Sequence, residues 1–225
     1  MKKIYTLLIL LGMLSGITCG ASLKIVKTIG NETDDNYLFY RISGAVLSDN
    51  HNIYVLDSKG HFIAKYDWNG KFIKKVGNRG EGPGFFNMPM GLDMFEGQLY
   101  FIDVMNTRIA QIDANLDNLT YHKMHSPLTS TKCFYVIDKN LFITEAMEFE
   151  SSIYNGLQIV DMNSKSRVTF FDKTPIKMPE SSNNPSRESA YARLFFHPQF
   201  GIDREKNKML VSFSTVDNPV IFLCI

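Results

Sequence analysis

Cysteine and tryptophan are scarce in this 225-residue chain, which has three Cys and one Trp. Cys19 falls among the first, leader-like residues, leaving Cys133 and Cys224 for the folded part. That pair excludes a disulfide framework; spacing alone does not show that the two meet, and two buried thiols explain them equally well. No Cys-x-x-Cys metal pattern is present. Charge surplus is lacking too: 24 Lys and Arg stand against 23 Asp and Glu, which removes the basic footprint of a general nucleic-acid binder. No serine sits in a Gly-x-Ser-x-Gly elbow. The glycines at 77–84 lack the lysine and Ser/Thr of a phosphate-binding loop, and no helix pattern follows them. They are turn glycines.

What is present begins with a leader. Lys2 and Lys3 precede an apolar run over residues 4–14, then small and polar residues lead to Cys19, Gly20 and Ala21. A basic start, an apolar run of this length and a small-residue exit make a secretory signal peptide over 1–19; the run is too short for a spanning helix. Cleavage near Gly20 or Ala21 is one outcome. Lipidation of Cys19 is the favoured one, because a cysteine at that place has little other purpose. Over the whole chain, 44% hydrophobic and 21% charged residues suffice for a sizeable core.

The rest is organised by a repeat. A shift of 46 positions (103 − 57) lays Asn-Ile-Tyr-Val-Leu-Asp, ending at Asp57, over Gln-Leu-Tyr-Phe-Ile-Asp, ending at Asp103. The same shift superposes residues 63–67, ending at Asp67, on residues 109–113, ending at Asp113. Each segment has strand length, is rich in β-branched and aromatic residues and is bounded by turn residues. No 3.6-residue period runs through 77–113. A fixed period of this size with several short strands per copy is the signature of an all-β propeller.

Blades are expected over 22–225. Blade one takes strands at 44–47, 53–56, 62–66 and 72–76, with Asn69-Gly70 as a type I′ turn. Blade two repeats it from Met88 to about Lys123. Blade three takes strands at 141–145, 157–161 and 168–171, with Glu145 at the place of Asp103. Blade four takes strands at 200–203, 209–213 and 220–224. Residues 22–30 form a lone strand, expected to complete the last blade and close the ring. Residues 172–199, dense in Pro, Ser and Asn, form a long loop insertion. About three and a half to four blades are present, so the chain reads as the N-terminal part of a six-bladed protein.

One stretch resembles a known repeat. Gly77, Gly80, Gly82-Pro83-Gly84, Phe86, Pro89, Gly91-Leu92, residues 99–103, Asn106, Arg108-Ile109 and Asp113 are similar to the NHL repeat. With the leader and Cys19, the chain resembles the six-bladed β-propeller lipoproteins of the bacterial envelope. The resemblance implies a fold. It also implies an alternative, since some related propellers are lyases or lactone hydrolases with a divalent metal in the channel.

The repeated polar residues Asp57, Asp67, Asp103, Asp113, Asn106 and Arg108 are expected to pin turns, carboxylates accepting backbone N–H and Arg108 pairing with Asp103. His122 and His125 are read as solvated surface residues, since no third metal ligand is marked. A ligand site belongs at the channel mouth, where loops of successive blades converge. Its candidates are Arg79 and Glu81 in the glycine-rich loop, Glu145 and Glu148 in blade three, and Arg187, Glu188, Tyr191 and Arg193 in the insertion. The expectation is a non-enzymatic, envelope-anchored binding or scaffold module without a cofactor, a channel metal belonging to the alternative. Its partner would be a protein, peptide or small molecule, with membrane contact only through the lipid anchor and no nucleic acid. A non-functional fragment is a third reading.

Overall fold

The computed structural model describes residues 24–25, 27–124, 134–150, 152–162, 167–170, 198–203, 208–213 and 220–224, and every regular element among them is a strand. Blade one comprises β1 (Ile42–Leu47), β2 (Ile53–Asp57), β3 (Phe62–Tyr66) and β4 (Phe72–Val76). Blade two comprises β5 (Pro89–Phe95), β6 (Gln98–Asp103), β7 (Arg108–Asp113) and β8 (Leu119–Lys123). Blade three has β9 (Phe134–Asp138), β10 (Leu141–Glu150), β11 (Ser152–Asp161) and β12 (Arg167–Phe170); β13 (Pro198–Asp203), β14 (Lys208–Phe213) and β15 (Val220–Cys224) form a fourth, three-stranded sheet. Every sheet is an antiparallel meander in chain order. The first strands face one another, β1 against β5 and β5 against β9.

Strand alternation divides the core between blade faces. In β6, Leu99 and Phe101 turn toward blade one, where they join Tyr54, Leu56, Ile63, Phe86 and Ile112. Tyr100 and Ile102, on the other face, join Phe134, Val136 and Phe142 of blade three. The 46-residue repeat is thus a repeat of interfaces: Tyr54 faces the second blade as Tyr100 faces the third.

Three local expectations are corrected. The described part of 22–30 forms no strand. Ile29 instead packs with Tyr37 and Phe39 on the face of blade one turned away from blade two, over Val55, Phe62, Ala64 and Tyr66, so burial of that face takes the segment. The Asn69-Gly70 turn is not type I′, which needs positive φ at two residues. Gly70 alone has it, at 77°, and the loop closes by Asp67 N–H to Lys71 O at 3.0 Å. In blade three, β10 and β11 run on past the expected ends at Glu145 and Leu157, because their pairing continues from Glu145↔Leu157 to Glu150↔Ser152. Neither β9 nor β12 accompanies that extension, so it is a two-stranded arm.

Candidate functional site

In a meander, turns alternate between the two ends of the blade. The β1–β2, β3–β4, β5–β6 and β7–β8 turns share one end. The β2–β3 and β6–β7 turns, the 77–88 connection and the tip of the blade-three arm share the other.

The second end is held by carboxylates. Asp57 and Asp103 are fully buried. Asp57 accepts backbone N–H from Tyr40 (2.5 Å), Arg41 (3.0 Å), Lys59 (2.9 Å) and Gly60 (2.6 Å). Asp103 accepts the Asn87 N–H at 2.6 Å, in the place of Arg41 one repeat earlier, then Asn106 Nδ2 at 2.7 Å and Arg108 Nε at 2.8 Å. Arg108 reaches on into the glycine-rich loop, donating to Glu81 O (2.9 Å) and Phe85 O (2.7 Å), while its guanidinium lies 3.6 Å from the Tyr121 ring centre. Asn106 also donates to Gly80 O at 2.9 Å. At the first end, in the β3–β4 and β7–β8 turns, Asp67 and Asp113 each accept the N–H four residues on, from Lys71 and Asp117. That bond, with those from Asn115 and Asn118, holds the Asp113 carboxyl below its usual value against the opposing effect of desolvation.

Arg79 and Glu81 therefore sit on a loop whose main chain is structural, with both side chains exposed. Glu145 and Glu148 lie on the arm at the same end, opposite Leu157 and Tyr154 in register. Cys19, Arg187, Glu188, Tyr191, Arg193, His125 and Cys133 lie outside the described residues. His122 is half-buried rather than fully solvated: burial lowers its pKa, and Nε2 lies 2.9 Å from Gln111 Oε1. Among the described residues no three His, Cys, Asp or Glu side chains gather as a metal-ligand set.

The first end carries a cleft of about 500 Å³ between blades one and two, bounded by the β1–β2 turn, the β5–β6 turn and Ala114-Asn115. None of the residues singled out from the sequence lines it. Its base holds Tyr54 and Lys65, both buried. Tyr54 Oη donates to Ala114 O at 2.7 Å and Lys65 Nζ donates to the same oxygen at 2.8 Å. Burial raises the Tyr54 pKa above its ordinary value. Asp93, also buried, accepts N–H from Met94 (2.9 Å) and from Val136 of blade three (2.7 Å). Exposed Asp49, Asn50 and Glu96 form the rim. The signal for Lys65 was in the repeat itself: its counterpart 46 positions on is neutral Gln111.

Successive antiparallel four-stranded meanders packed face to face define a β-propeller. The chain belongs to the 6-bladed beta-propeller family, whose model matches residues 19–209. No curated protein sequence matches it. Among solved structures it is similar to a Bacteroides fragilis NCTC 9343 protein described as exported, with TM-score 0.55 and 14% identity over 87% of this chain and 53% of that one. A nidogen–laminin complex gives TM-score 0.51 and 10% identity over 76% and 56% of the two chains. A virginiamycin B lyase from Staphylococcus aureus gives 0.46 and 12% over 82% and 55%, too low a score to bear on this chain. The chain spans about half the length of these structures. At such identities the likeness is one of fold.

Proposed function

We propose that this propeller is a non-catalytic binding module, exported to the cell envelope and anchored there through Cys19, that takes a small ligand in the cleft between blades one and two. The observation that carries the reading is Lys65: a buried ammonium lines a concave site and, among the described residues, donates a hydrogen bond to one carbonyl oxygen, Ala114 O. Concave sites with a few convergent polar groups are where small ligands bind, and propeller loops displayed by rigid sheets suit that task. The leader at 1–19 supports export, and the cysteine at its end supports a lipid anchor. Arg79 and Glu81, exposed at the opposite end, remain available for a protein partner.

The test is a thermal-shift screen of small molecules against the protein and its Asn50→Trp variant, whose indole would fill the cleft mouth. Ligands that raise the melting temperature of the parent and not of the variant support the reading. Hits that stabilise both equally, or a full screen without hits, overturn it. Fractionation of Cys19→Ser cells checks the anchor, which requires the parent in membranes and the variant in the soluble fraction.

A further inference from the structure

Resting on the reading of the cleft as the ligand site, we propose that its ligand is zwitterionic, an amino acid or short peptide whose carboxylate pairs with Lys65 and whose amine meets the acidic rim. Lys65 lies in β3, opposite Tyr54, and is 9% exposed. An ammonium has three protons to donate. Ala114 O takes one at 2.8 Å, and the Tyr54 ring lies 5.7 Å from Nζ. Neither ion pair among the described residues involves Lys65. A buried cation without a counter-ion is costly, and a carboxylate supplied by a ligand repays that cost through charge-assisted hydrogen bonds. The blade does not demand the charge, because Gln111 fills the equivalent place in blade two.

The rim has the opposite sign. Asp49 and Glu96 are exposed, line the cleft and, among the described residues, take part in no ion pair. Asp93 adds a third carboxylate inside, already occupied by backbone N–H groups. A purely anionic ligand would be repelled by the rim, and a purely cationic one would leave Lys65 unpaired. One amine and one carboxylate in the same small molecule satisfy both. Ser48, Asn50, Asn52 and Asn115 supply donors and acceptors between the two charges.

Calorimetric titration of the full chain tests this with alanyl-alanine, its methyl ester and its N-acetyl derivative. The expected result is saturable binding of the free dipeptide and weakening of roughly tenfold or more for each blocked form. In Lys65→Met the dipeptide should bind no better than its ester, and Lys65→Arg should restore the preference. Equal affinity of acid and ester for the parent overturns the proposal, as does no saturable binding up to about 10 mM. If Lys65→Met does not fold, the comparison of acid with ester on the parent decides alone. Binding that Asn50→Trp abolishes, but that ignores both esterification and Lys65→Met, sinks the zwitterion and leaves the cleft standing. Binding that survives Asn50→Trp sinks the cleft as well.

Discussion

Asp103 and Asp57 are the same residue in sequence terms and solve the same problem by different chemistry. Each is a fully buried carboxylate at the end of a second blade strand. Blade one surrounds its copy with backbone N–H groups alone, whereas blade two uses one N–H, the Asn106 amide and the Arg108 guanidinium. The position of Arg108 corresponds to Phe62, and that of Asn106 to Gly60, so the difference was written in the repeat. Removing Arg108 strips Asp103 of its counter-ion and frees two carbonyls of the glycine-rich loop. Arg108→Ala should therefore destabilise the protein by about 3–5 kcal/mol, as for other broken buried pairs. Arg108→Lys should recover only part of that, because a point charge cannot repeat the three-way fork. Urea unfolding of the three proteins checks the order; equal midpoints would show that the pair does not stabilise the fold.

The N-terminal segment is an element whose role came from packing. Tyr66, at the end of β3, donates its hydroxyl to Asn36 O at 2.6 Å, and Tyr37 and Phe39 pack against its ring. Burial, with smaller contributions from Tyr37 and Asp34, pushes the Tyr66 pKa up from 10.0 to about 12. The folded state therefore favours the protonated phenol. Its contribution is complete below pH 10, the unfolded value, and is lost as pH rises through about 12. The melting temperature should hold up to pH 10 and fall above it, and Tyr66→Phe should flatten part of that fall. An unchanged slope in the variant would mean that other tyrosines carry the effect. The turns show the same interplay of repeat and packing. Gly70 and Leu116 occupy equivalent positions with φ of 77° and 58°. Leucine is strained there, but it is buried in the core between blades, which offsets the backbone cost.

At the scale of the molecule, blade spacing depends on the contact between first strands. A Cβ added to Gly44 of β1 would lie 2.6 Å from Leu92 Cβ and 2.9 Å from Leu92 N in β5. Ser43 Oγ crosses the same junction to Pro89 O at 3.0 Å. Gly44→Ala should force blades one and two apart at a cost of about 1–3 kcal/mol. Leu92→Ala should not rescue it, because the obstacle is atoms that alanine keeps. Calorimetric melting of the single and double variants checks this; recovery in the double variant would refute the backbone origin. The same junction lies beside the cleft between blades one and two, so Gly44→Ala offers a remote handle on the binding proposed there.

Much of this architecture was legible because a repeat compares the chain with itself. The strands of blades one and two, their turn carboxylates and the Arg108–Asp103 pair all follow from alternation and turn chemistry, which are properties of neighbours in sequence. The blade-three arm was not legible, since continuation of a hairpin depends on pairing between β10 and β11 rather than on either strand alone. The described ligand candidates all fell at one end of the propeller, Arg79 and Glu81 in the glycine-rich loop and Glu145 and Glu148 in strand β10. Lys65 is inconspicuous in the sequence because a lysine within a strand reads as a solvated position. The sequence by itself determined the propeller and the number of strands per repeat. Only the tertiary structure decided that Lys65 is buried in a cleft and, among the described residues, in no ion pair, because its surroundings include Ala114 of the next blade, 49 residues away.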